Sequence, residues 1–135
     1  MRRAFSVLLL IVLTVSVVAH AEVPLKPKAE LQDEATHIVV GTVQTVFSTT
    51  TESDDWADTN SVAEIVVKSV EKGDRVQAGD LVYGRFWNRR WVGEGAPDPY
   101  SRGHMGPETD ELVRAYLVRK NGAYKVILPN GFEGS

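Results

Sequence analysis

The chain has 135 residues, with 15 basic and 18 acidic side chains and a formal net charge of −3. That length suits one domain rather than two, and the acidic balance argues against a general nucleic-acid binder, whose affinity comes from a basic surface displacing counterions. There is no cysteine, which excludes disulfide staples, a thiolate nucleophile or metal ligand, covalent haem attachment and a lipid-modified cysteine anchor, so stability has to come from an apolar core.

Met1-Arg2-Arg3, an apolar run over 4–19, and Ala19-His20-Ala21 before Glu22 are the parts of a secretory signal: a basic start, a short apolar stretch and small residues ahead of the cut. A spanning helix wants about 20 apolar residues with no cleavage site behind it. Cleavage between Ala21 and Glu22 is therefore expected. The product is then exported, periplasmic or secreted, without a membrane span, and more acidic than the whole chain because Arg2 and Arg3 are lost. Three parts are expected: a signal peptide over 1–21, a lead-in segment over 22–34 and a β-barrel domain over 35–135.

Two prolines make 22–29 extended, and 29–35 has room for a helical turn or two. The Val-, Ile- and Thr-rich run 37–47 reads as a strand whose internal Gly41 signals a bulge or bend. Polar, acidic 48–59 reads as a loop. Alternation over 61–70 predicts a second strand with Ala63, Ile65 and Val67 inward and Glu64 and Lys68 in water. Turns follow at 71–74 and 77–80, then a third strand over 81–87 with Val82, Gly84 and Phe86 toward the core. The segment 88–110, with four glycines and three prolines, has no periodicity and reads as a long loop of the kind that tends to be functional or disordered. A fourth strand is predicted over 112–118, with Val113, Ala115 and Leu117 inward. Asn121-Gly122 marks a tight hairpin into a fifth strand over 123–128, because a primed turn needs positive φ at both positions. A last turn at 129–131 lets Phe132 fold back onto the body. Five short strands, a bent first one, a long third-to-fourth connection and a final hairpin predict a mostly β protein: a five-stranded Greek-key barrel of the OB type, with a thin β-sandwich as the alternative.

Ala35-Thr36-His37-Ile38-Val39-Val40-Gly41-Thr42-Val43, then Ala63-Glu64-Ile65-Val66-Val67 and Val70-Glu71-Lys72-Gly73, resemble the opening half of netrin-like domains. These are OB-type barrels found in the tissue inhibitors of metalloproteinases and in small secreted proteins. The resemblance covers about residues 35–87 and implies the fold. The inhibitors bind catalytic zinc through an N-terminal cysteine, and a chain without cysteine has no position to which that role carries. The second half, from Trp87-Asn88-Arg89-Arg90-Trp91 to Pro129-Asn130-Gly131-Phe132, is similar to small secreted bacterial proteins to which no activity is attached.

Phe86-Trp87-Asn88-Arg89-Arg90-Trp91 concentrates aromatic rings and guanidinium groups at a strand end. Such groups stack a sugar ring or a base and hold an anion in a fork. Tyr83, Arg85 and Trp87 share the non-core face of the third strand, so Tyr83, Arg85, Trp87, Arg89, Arg90 and Trp91 form the candidate binding set. The structural alternative is that Trp87 and Trp91 pin the long loop to the barrel. Glu52, Asp54, Asp55 and Asp58 cluster around Trp56, but without the alternating carboxylates and closing Glu of a calcium loop they read as a solvated acidic loop. That loop would also repel phosphate. Outside the expected signal, His37 and His104 are the only histidines; His37 opens a strand and nothing in the spacing brings the two together. Ser101 has no strand-turn-helix elbow around it. No catalytic residue, metal or cofactor is assigned. The expectation is an exported, non-enzymatic binding module for a protein or an extracellular or envelope polymer, not nucleic acid, using the Trp/Arg strand end and the Gly/Pro-rich loop. The alternatives are a small metal-dependent or hydrolytic enzyme using His104 with Asp98 or Glu94, and a structural accessory protein without a ligand site.

Overall fold

A computed structural model describes residues 24–94, 102 and 103, and 106–134. The expected signal peptide and its cleavage point lie outside these residues. Among the described residues no helix is long and apolar enough to cross a membrane. The one helix among the described residues, α1 (Lys28–Glu34), starts after Pro27 and ends where Ala35 turns extended at ψ 131°. Only Leu31 of its seven residues is buried, so it is a clip on the barrel wall rather than a core element. Leu31 and Ala35 pack with Ile38, Tyr116 and Ile127 in a small cluster of their own, and Lys72 Nζ donates to the Gln32 carbonyl at 2.8 Å.

The strands are β1 (His37–Ser53), β2 (Trp56–Lys72), β3 (Leu81–Trp91), β4 (Arg102–Gly103), β5 (Leu112–Lys120), β6 (Ala123–Val126) and β7 (Phe132–Gly134). The hydrogen-bonded order is β1-β2-β3-β6-β5, and β5 closes back onto β1. β6 inserts between β3 and β5, parallel to β3 and antiparallel to β5. This is a closed five-stranded barrel of the OB-like kind expected. β4 is added beside β3, and β7 beside β5.

Val39, Val43, Ala63, Ile65, Val67, Val82, Phe86, Val113, Ala115, Leu117 and Val126 fill the barrel. They come from alternate positions of their strands, as period-two patterning requires. Fully burying a side chain such as Ile65 is worth about 1.5–3 kcal/mol, and Ile65 has no exposed surface. Closure depends on β1 serving two neighbours. Gly41 pairs with Val67 on one side and Val113 on the other, at one of three register shifts that bend the strand. A Cβ at Gly41 would run into the Val66 carbonyl oxygen and the Ile65 side chain. Asn121 and Gly122, at φ 53° and 78°, make the predicted tight turn.

Two expectations are corrected. Segment 48–59, read as a loop, is the far half of the β1–β2 hairpin, which stays in register to Ser53 opposite Trp56 around a turn at Asp54-Asp55. β3 follows β2 out to the pair Trp56–Trp91. A three-stranded ribbon thus projects beyond the barrel. On its barrel-side face hydroxyl pairs, Ser48–Ser61 at 2.8 Å and Thr50–Thr59 at 3.0 Å, satisfy each other beyond the apolar core. The predicted long loop is also shorter than 88–110, because 88–91 extends β3, and Gly103 and Arg102 pair with Asn88 and Arg89. β7 was not anticipated; Phe132 packs edge-on against Phe86 at 5.3 Å.

Candidate functional site

Strand alternation sorts the candidate residues. With Val82, Gly84 and Phe86 inside, Tyr83, Arg85, Trp87, Arg89 and Trp91 fall on the outer face of β3, and Arg90 falls on the opposite one. Register across the sheet then sets rows on the outer face. Tyr83 stands beside Glu64; Arg85 beside Val62, Phe47 and, across the parallel pairing, Lys125. Trp87 stands beside Asn60 and Thr49, Arg89 beside Asp58, and Trp91 beside Trp56.

The rows differ in how far their groups are already engaged. At the ribbon tip, Trp56 and Trp91 meet edge to face at 5.1 Å. The Arg89 guanidinium lies 5.4 Å from the Trp56 ring centre and grips Asp58 with both arms, at 2.7 and 3.1 Å. That two-armed bond holds the Asp58 carboxyl below its ordinary value, with desolvation opposing, and raises Arg89. The Trp91 indole nitrogen is buried without a partner among the described residues. At the other end, the hydrogen bond from Tyr83 to Glu64 raises the phenol above its ordinary value.

Between these engaged ends the face is open. Trp87 is 40 % exposed and Phe47 53 %, and Arg85 and Lys125 are also exposed. A depression of about 970 Å³ is lined by Phe47, Asn60, Val62, Arg85, Trp87 and Lys125 of this face and also by barrel-side residues such as Ser61, Phe86 and Leu128, so it is not confined to the outer face. A second, of about 410 Å³, is lined by Asp58, Asn60, Trp87 and Arg89. Asn60 and Trp87 line both. Phe47, Asn60, Val62 and Lys125 escaped sequence reasoning because only the register across four strands brings them to β3.

No family model, curated protein or solved structure matches this chain. The site is therefore read from its own geometry.

The remaining candidates separate from this face. His37 is buried, with Nδ1 2.9 Å from Thr36 Oγ1 and Nε2 2.9 Å from the Asp74 carbonyl oxygen, and its ring packs against Gly73 and edge-on against Tyr124. Nε2 ties the β2–β3 connection to β1 while Nδ1 is engaged by the neighbouring Thr36, a structural assignment. Glu94 is exposed, whereas His104, Asp98 and Ser101 lie outside the described residues. Among the described residues no group of three or more His, Asp or Glu side chains is placed to hold a metal ion. On the barrel wall, Arg114 joins Glu71 and Glu133, the latter at 3.3 Å, and Tyr116 donates to Glu133 at 3.0 Å. Those charges satisfy one another beside α1.

Proposed function

We propose that the chain is an exported, non-enzymatic binding module that recognises a protein or an envelope polymer through the outer face of β3. The observation that carries this reading is the succession Tyr83, Arg85, Trp87 on one exposed strand face, with both aromatic rings more than a third exposed. Large aromatic rings left in water beside cations are the groups that dominate recognition energetics, since they stack, cover apolar surface and pair with anions. A strand of a closed barrel fixes their spacing, so little ordering has to accompany binding. In OB-type barrels ligands lie over strands 2 and 3, the strands that carry this face. Export rests on the basic, apolar and small-residue order of the first 21 positions. The netrin-like resemblance is proposed at the level of the fold, and the inhibitors' cysteine chemistry is not proposed with it.

A glycan array and a panel of purified envelope polymers, probed with the wild-type protein and with the Arg85→Ala/Trp87→Ala variant, test the reading. Binding that disappears in the variant while the melting temperature stays within a few degrees is the expected result. A ligand bound equally by both proteins would contradict it.

A further inference from the structure

Arg85 and Lys125 are register partners on neighbouring parallel strands, about 4.8 Å apart along the sheet. Like charges placed directly opposite each other are unfavourable. Neither has an ion-pair partner among the described residues, which is also true of other exposed cations such as Lys68, Arg90 and Lys120; what distinguishes these two is that they face each other. Two unneutralised cations side by side on a chain of net charge −3 form an anion seat with its counter-charge missing. Their row continues into the apolar surface of Val62 and Phe47, and Trp87 is the next outward residue along β3, about 6.6 Å from Arg85 at the usual rise per residue. A group stacked on the indole thus carries its acid within reach of the guanidinium.

Resting on the binding reading above, we infer that this face takes an acidic polysaccharide, a chain of sugar rings bearing carboxylates, laid along β3 across Trp87. Trp87 lines both hollows, which together give an extended chain more room than a single ion needs. The Asn60 amide and the Thr49 hydroxyl beside the indole offer donors and acceptors to ring hydroxyls. Charge density decides against nucleic acid. The paired cations here number two, beside the carboxylate of Glu64 and an Asp58 already neutralised by Arg89, too few to match a strand carrying a phosphate at every nucleotide. A uronate chain, with at most one carboxylate per ring, places its charge at the cations and its uncharged ring faces on Trp87 and Phe47.

Calorimetry and tryptophan fluorescence on the protein as isolated from the expressing cell provide the test. The probes are an oligogalacturonate, its methyl ester, polyglutamate, oligothymidylate and inorganic sulfate. The acid sugar chain should bind, the ester at least about tenfold more weakly. Arg85→Gln with Lys125→Gln should remove the preference for the acid, Trp87→Ala should weaken both sugar chains, and Arg90→Gln, on the other face, should change neither. Failure of the acid chain to bind overturns the inference. So does equal binding of acid and ester, tighter binding of polyglutamate or oligothymidylate, or displacement of the chain by sulfate at equal charge. If any of these is seen while Trp87→Ala still abolishes whatever binding exists, the acidic-sugar assignment fails and the face survives. If no substitution on the face alters binding, both fail together.

Discussion

Trp87 and Trp91 lie four residues apart on one face of β3 and yet live in different surroundings. Trp87 has 40 % of its surface in water, while Trp91 packs edge-on against Trp56 with its indole nitrogen buried. The same substitution should therefore read differently at the two positions. Trp91→Ala removes an aromatic pair and uncovers the ribbon tip, and we expect it to cost up to about 3 kcal/mol, the low end for truncating a large aromatic side chain. Trp87→Ala should leave the melting temperature within a few degrees. Thermal melts of the two variants check this, and equal losses would mean that Trp87 is also a structural pin. The Asp58–Arg89 pair gives a second residue-scale test, through pH. Its folded-state carboxyl is held below the ordinary Asp value of 3.8, so its contribution is complete above that value and is lost as pH falls through the lower folded one. A double-mutant cycle with Asp58→Asn and Arg89→Gln should show favourable coupling at neutral pH that vanishes in strong acid. Both side chains are more than a third exposed or close to it, so added salt should weaken the coupling as well. Coupling that is independent of pH would refute the charge assignment.

At the scale of elements, β2 shows what was legible and what was not. Alternation placed Ala63, Ile65 and Val67 in the core, and they are buried at 0, 0 and 2 % exposure, while Lys68 is exposed. Ile65→Ala should cost about 2–5 kcal/mol by leaving a cavity, and Lys68→Ala should be nearly neutral in denaturant melts; similar small effects would mean that the register is wrong. The near half of the same strand was hidden, because Trp56-Ala57-Asp58-Thr59-Asn60 has the polar composition of a loop. Its strand character comes from partners outside the segment: β3 alongside, the hydroxyl pairs to β1 and the grip of Arg89 on Asp58. Strand preference depends on such context more than helix preference does. The run of threonines at 49–51 was the local sign, since β-branched residues favour extended chain. On β3, period two was enough to put Tyr83, Arg85 and Trp87 on one face, but Arg89 and Trp91 join that face and Arg90 leaves it only because the strand runs on to 91. The parallel register that sets Lys125 beside Arg85 has no local signature, because it depends on where the chain re-enters the sheet some forty residues later.

For the molecule as a whole, barrel closure and site are one construction. The bend at Gly41 lets β1 pair with both β2 and β5, and the tight turn at Asn121-Gly122 delivers β6 to the free side of β3. Only then do Phe47, Arg85, Trp87 and Lys125, drawn from three strands, come to share one hollow. With no cysteine, the spacing of the proposed binding groups is held by strand pairing and the apolar core, so on the proposed reading a core cavity that loosened closure would weaken binding along with stability. The most direct test of the central claim is an amide chemical-shift map of the isotope-labelled protein titrated with oligogalacturonate. The account predicts that the shifts concentrate at 47–49, 60–62, 85–87 and 125. Shifts confined to α1, to the Arg114 cluster or to the inner face around Arg90 would contradict it.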